Sequence, residues 1–181
     1  MIDNSHTSIL EHEGVINKLN NQNFPNISLP NQDGNLLNLN RLDTFRMILY
    51  FYPMTGRPDR PLPDNWNNIP GAKGCTIQNC SFRDKYDEII TLNAVPIGIS
   101  SQSVNDNKEM TSRLKIPYDV LSDDKLELSN ALNIPTFLVN SKFFLKRITL
   151  IVEKKIIKKV FYPINDINKH IEEVLKWLKE N

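Results

Sequence analysis

Cysteine is scarce in this sequence: of 181 residues only Cys75 and Cys80 carry a thiol. One pair cannot supply the disulfide framework on which small secreted domains depend. Charge of one sign is lacking as well. Twenty-two Lys and Arg stand against 21 Asp and Glu, a formal net charge of +1, and the cations are scattered over both termini and the middle. With no basic patch to neutralise phosphates, neither nucleic acid nor an anionic membrane is an expected partner. Histidine is equally sparse. His6, His12 and His170 lie toward the termini without ligand-like spacing to one another or to the cysteines, so they read as surface residues and no zinc site is expected. No stretch approaches the ~20 apolar residues of a membrane span. The opening Met1-Ile2-Asp3-Asn4-Ser5-His6 lacks the basic start and apolar run of a signal peptide. The expectation is a soluble, cytoplasmic protein in which two close cysteines point to reactive chemistry more than to a structural framework.

What is present is ordinary for a globular chain: 40% hydrophobic and 24% charged residues, in a length that suits one domain over residues 1–181. Glu11 to Asn20 predicts a short helix. Ile27-Ser28-Leu29-Pro30 and Leu36-Leu37-Asn38-Leu39, joined by Gln32-Asp33-Gly34-Asn35, predict an N-terminal hairpin. Met47-Ile48-Leu49-Tyr50-Phe51-Tyr52 is a continuous apolar run stopped by Pro53, as for a central strand buried on both faces. From Met54 to Ile69 proline and asparagine remove amide donors and regular φ, so this is a long loop. One helix is expected from Cys75 to Ile90, with Phe82, Tyr86 and Ile89 on its apolar face. Then follow a strand at 94–100, a helix after an N-capping Ser103, the segment Asp119-Val120-Leu121-Ser122-Asp123, and a helix ending at Leu132. A closing hairpin of 144–152 with 156–161 and an amphipathic helix from Asp166 to Leu178 complete the chain. Strands alternating with helices indicate an α/β domain.

Pro70-Gly71-Ala72-Lys73-Gly74 leads Cys75 into the first turn of its helix. Unpaired amides and the positive dipole end favour an anion there, and the glycines leave room for a small substrate. Cys80 lies five residues on. In an intact helix that spacing puts the Cα atoms roughly 8 Å apart and about 140° around the axis, beyond the ~7 Å limit of a disulfide. A bond between them therefore requires the first turn to unwind. Judged on the cysteines alone, both could equally be small buried residues, a common fate of free Cys.

Several blocks together resemble the peroxiredoxins, nearest to the Q-type branch also called bacterioferritin comigratory protein. Leu29-Pro30-Asn31-Gln32-Asp33-Gly34 is similar to that family's N-terminal hairpin, and Leu49-Tyr50-Phe51-Tyr52-Pro53 to the strand before its active-site loop. Gly74-Cys75-Thr76-Ile77-Gln78-Asn79-Cys80-Ser81-Phe82-Arg83-Asp84 is similar to its signature. Ile99-Ser100-Ser101-Gln102-Ser103 and Leu121-Ser122-Asp123 continue the match, which covers about Phe24 to Val160. The resemblance implies a thioredoxin fold, a central mixed β-sheet flanked by helices. It implies a peroxidatic Cys75 resolved by Cys80 as an intramolecular disulfide, with hydroperoxide as substrate, a thioredoxin-like dithiol as reductant and no cofactor. It further implies that Arg147, in Arg147-Ile148-Thr149-Leu150-Ile151, sets a guanidinium beside the peroxidatic sulfur. A monomer or a homodimer is the expected assembly.

The departures are as informative. Asn68 and Ala72 stand where the family has proline and threonine, seven and three residues before the cysteine. Residues 54–69 form an insertion in the active-site loop, and Thr55 or Thr76 is the candidate replacement hydroxyl. Residues 132–140 form a second insertion, and Ile134-Pro135-Thr136 within it is not the cis-proline loop of thioredoxins. Trp66 either anchors the long loop or offers a partner a contact. Arg83-Asp84 reads as a structural ion pair, and Lys154-Lys155 and Lys158-Lys159 as the charges of a solvated edge strand. Two alternatives keep the same fold: a thiol-disulfide oxidoreductase, against which the five-residue spacing counts, and a non-catalytic redox-responsive binding domain.

Overall fold

In β3 (Arg46–Phe51) every residue is buried, and its side chains alternate between two cores. Met47, Leu49 and Phe51 face one side, while Ile48, Tyr50 and the following Tyr52 face the other, the two-residue period of a pleated strand. The computed structural model describes residues 4–42 and 44–181, with side chains from Glu11 onward. Around β3 a five-stranded mixed sheet assembles in the order β5-β4-β3-β8-β9. β4 (Ala94–Ser100) and β5 (Val120–Ser122) run parallel to β3, β8 (Ile148–Glu153) pairs antiparallel with β3, and β9 (Ile156–Phe161) pairs antiparallel with β8. Separately, β1 (Ser28–Pro30) pairs with β2 (Leu36–Asn38) as the expected N-terminal hairpin.

α1 (Asn4–Leu19) begins before the expected Glu11 and, with α5 (Glu127–Leu132), covers the first core. α2 (Cys75–Asp84), α3 (Tyr86–Thr91), α4 (Val104–Leu114) and α6 (Ile167–Glu180) cover the second. The single helix expected over 75–90 is thus two, broken at Lys85. Ser103 caps α4 by accepting from the Asp106 amide at 3.2 Å, as expected.

One strand assignment needs correction. Phe144 and Leu145 do not begin the closing hairpin. They belong to β7 (Lys142–Leu145), which pairs with β6 (Thr136–Val139) inside the second insertion. The chain breaks at Lys146, whose amide donates to the Pro135 carbonyl at 2.7 Å, and β8 starts after Arg147. The Ile134–Pro135 bond is not cis, in keeping with the sequence reading; the cis peptide among the described residues is Tyr162–Pro163.

The two insertions pack on each other. Trp66, in a short 3-10 turn of the 54–69 loop, is 3% exposed. Its ring meets Phe144 edge-on at 4.9 Å and lies 5.8 Å from Phe137, with Ala72, Val139, Met54 and Ile69 completing the cluster. The tryptophan is an anchor, and it holds the loop that leads to Cys75 against the β6–β7 hairpin.

Candidate active site

Cys75 is the first residue of α2 and is 3% exposed. Gly74 precedes it at φ +91°, a left-handed conformation that disfavours any residue with a Cβ, and a side chain there would also run into Ile167 of α6. Gly74 provides no side-chain cap, so the amides of Cys75, Thr76 and Ile77 have no intrahelical acceptor. They form the electropositive end of the helix at the thiol.

Arg147 completes this arrangement from the sheet. Side chains of β8 alternate, so Arg147, Thr149 and Ile151 face α2 and α6 while Ile148, Leu150 and Val152 enter the other core. Arg147 is 5% exposed, and its Nη2 lies 3.3 Å from Cys75 Sγ. The same nitrogen donates to the carbonyls of Lys73 at 2.8 Å and Gly71 at 3.3 Å, and Nη1 donates to Gln78 Oε1. One guanidinium therefore ties the active-site loop, the helix and the sulfur together. Gln78, one helical turn beyond Cys75 and itself buried, was not singled out by the sequence.

A cavity of about 330 Å³ opens onto Cys75, lined among others by Met54, Leu62, Trp66, Ala72, Thr76 and Ile77. Thr76 is exposed and borders it. Thr55 is engaged elsewhere: its amide and hydroxyl both donate to Gln102 Oε1, at 2.8 and 3.1 Å, and Gln102 Nε2 returns a bond to its carbonyl. Ala72 is buried with the Trp66 cluster, and its carbonyl lies 3.5 Å from Cys75 Sγ. Of the two candidate hydroxyls, Thr76 is thus the one at the cavity.

Cys80 is half-buried on α2, and both cysteines are free thiols. Arg83 bonds Asp84, with 2.7 Å between Nη2 and Oδ1, and also donates to the Leu114 carbonyl at 2.7 Å. Behind Cys75 the phenols of Tyr50, Tyr52 and Tyr118 are buried, and desolvation pushes all three well above the usual phenol range. They are neutral and cannot act as bases near neutral pH.

His170 is not a surface residue, contrary to the sequence expectation. It is 1% exposed on α6, its Nε2 lies 2.9 Å from Thr149 Oγ1, and its ring packs edge-on against Phe82 and Phe161. The signal was its spacing of four and eight from Val174 and Leu178, which places it on the buried face of the helix. Burial first, and the Arg147 charge second, lower its pKa to about 4. The unfolded chain, at the ordinary His value of ~6.5, then binds the extra proton between these limits, so this contribution to stability is complete above pH ~6.5 and is lost as pH falls toward ~4. A shift of this size predicts a loss of about 3 kcal/mol relative to a His170→Phe variant. Urea titrations of both proteins at pH 7 and pH 4 check it; a constant stability difference would contradict the assignment.

Residues 19–175 match the Redoxin family. The chain is 30% identical over 159 residues to peroxiredoxin Q, chloroplastic, of Arabidopsis thaliana, spanning 87% of this chain and 66% of that protein. It is 28% identical over 156 residues to the protein of the same name from Populus jackii, spanning 86% and 65%. The chain thus spans just under two thirds of the length of these relatives. Among solved structures, the peroxidoxin BcpB of Mycobacterium tuberculosis superposes with a TM-score of 0.74 at 22% identity, covering 89% of this chain and 96% of that one. A cysteine variant of PrxQ from Xylella fastidiosa gives 0.72 at 19% identity, covering 88% and 94%. The fold is accordingly the thioredoxin fold of the peroxiredoxins. The chain belongs to the Redoxin family, and its matches within that family include peroxiredoxins of the Q type.

Proposed function

We propose that this chain is a thiol peroxidase in which Cys75 attacks a hydroperoxide and Cys80 resolves the product. The observation that carries the reading is the 3.3 Å approach of Arg147 Nη2 to Cys75 Sγ at an uncapped helix N-terminus facing a cavity. The Cys75 thiolate attacks the distal peroxide oxygen; the O–O bond breaks, the leaving alkoxide or hydroxide takes a proton, and Cys75 becomes a sulfenic acid. Cys80 then attacks the sulfenic sulfur, water leaves, and a Cys75–Cys80 disulfide forms. A thioredoxin-like dithiol supplies the two electrons that return both thiols. Thr76, at the rim of the cavity, is the hydroxyl available to the peroxide in place of the family's threonine. The apolar lining from Met54, Leu62, Trp66 and Ile77 suits an organic hydroperoxide as well as hydrogen peroxide. We assign the protein to the cytoplasm, as a monomer or homodimer. Mass spectrometry of reduced protein treated with one equivalent of peroxide tests the scheme. A Cys75–Cys80 disulfide is expected, with loss of two mass units; unmodified thiols with peroxide remaining would overturn it.

A further inference from the structure

Asn79 lies between the two cysteines, is fully buried, and is held by three hydrogen bonds that involve a side chain. Its Nδ2 donates to the Cys75 carbonyl at 2.8 Å, one turn back along α2. Its Oδ1 accepts from the Tyr50 hydroxyl at 2.8 Å, and its own carbonyl accepts from the Tyr118 hydroxyl at 3.1 Å. The two phenol oxygens lie 3.0 Å apart, so these contacts share two protons. Tyr50 in turn stacks on Phe82 at 4.3 Å and fits over Gly98, where an added Cβ would come within 2.8 Å of its hydroxyl oxygen.

We infer that Asn79, with Tyr50 and Tyr118, is a lock on the first turns of α2 that sets how often Cys80 can reach an oxidised Cys75. The inference rests on the resolving role proposed for Cys80. A bond across five helical residues forms only after the helix between them unwinds, and that segment contains Asn79. Unwinding breaks its side-chain bonds and takes the Asn79 acceptors from two buried phenols, which keep only their bond to each other, so the unwound population is small and resolution is slow in proportion. Both phenols stay neutral because burial raises their pKa, so the lock does not open on mild changes of pH. While it is closed, the sulfenic acid is exposed to a second hydroperoxide, which transfers one oxygen to give the sulfinic acid and leaves as water or alcohol. The lock therefore sets the peroxide concentration at which Cys75 is over-oxidised. Asn79, Tyr50 and Tyr118 are positioning residues: they act through the helix and do not touch the peroxide.

Tyr118→Phe removes one donor with little change of shape, and Asn79→Ala removes the centre of the lock. In each, disulfide formation after a peroxide pulse, followed by rapid alkylation and mass spectrometry, is expected to accelerate about tenfold, the effect of losing roughly one buried hydrogen bond. The peroxide concentration giving half sulfinic acid rises by the same factor, while the rate of Cys75 oxidation changes less than twofold. Hydrogen exchange of the reduced proteins gives a readout independent of peroxide chemistry. Amides of Gln78 to Ser81 are expected to exchange about tenfold faster in Tyr118→Phe than in the unsubstituted protein, with strand β3 unchanged. Equal exchange, or equal resolution rates, would overturn the lock while leaving the peroxidase assignment intact. Absence of any Cys75–Cys80 disulfide in the unsubstituted protein would overturn the lock together with the resolving role of Cys80.

Discussion

Cys75→Ser is expected to reduce peroxide consumption at least ~10³-fold, to the background of the assay. A serine hydroxyl is protonated at neutral pH and, unlike sulfur, has no accessible sulfenic state, so it can neither attack the O–O bond at a useful rate nor store the oxidising equivalent. The exchange is nearly isosteric at a site 3% exposed, and the Arg147 contact can persist to oxygen, so the fold should be retained. Steady-state peroxide loss with a dithiol present, beside a thermal melt of each protein, separates lost chemistry from lost structure. A folded variant that keeps more than a tenth of the activity would remove Cys75 from its assigned role. Cys80→Ser offers the complementary result: single-turnover oxidation at an unchanged rate, ending in a sulfenic acid and then in over-oxidised protein.

The frame around that thiol was readable because it follows local rules. The apolar run of β3, stopped by Pro53, had to be a strand buried on both faces. Ser103 caps its helix as its residue type predicts, while Asp166, read as the first residue of the last helix, caps it instead. The placement of Arg147 came from resemblance and is explained by strand alternation, which puts it on the same face as Thr149 and beneath α2. What could not be read depends on contacts between distant segments. The β6–β7 hairpin takes Phe144 away from the closing strands because Phe137 and Trp66, from two separate insertions, need a partner for their rings. His170 looked exposed while only its nearness to a terminus was weighed; its neighbours on the buried helix face are Val174 and Leu178, and the pocket it fills is made by Phe82, Thr149 and Phe161. Asn79 gave no signal, since a polar residue in a short helix reads as solvated until Tyr50 and Tyr118 are brought beneath it.

Arg147→Met is expected to slow the oxidation of Cys75 by roughly 10²–10³-fold, the range seen when a donor aimed at developing negative charge is removed. The carbonyls of Gly71 and Lys73 both point at Arg147 Nη2, 3.3 and 2.8 Å away, beside a sulfur that the same nitrogen reaches at 3.3 Å. Without the guanidinium, two carbonyl dipoles turn their negative ends toward a thiolate and a leaving oxygen with nothing to offset them, and Gln78 Oε1 loses its donor. Arg147→Lys should recover only a small part of the rate. Its single ammonium cannot bond Gln78, the loop carbonyls and the sulfur from one planar fork, and its charge would settle on whichever carbonyl it reaches. Methionine preserves most of the buried stem, so melting temperature should change less than the rate. Stopped-flow measurement of the second-order reaction with hydrogen peroxide, compared with the reaction of the same proteins with a neutral alkylating agent, isolates the peroxide-specific part. A loss confined to thiolate supply would lower both rates equally. A larger loss with peroxide than with the alkylating agent assigns Arg147 to the peroxide oxygens as well, and a loss below threefold in both would leave it a structural residue of the loop.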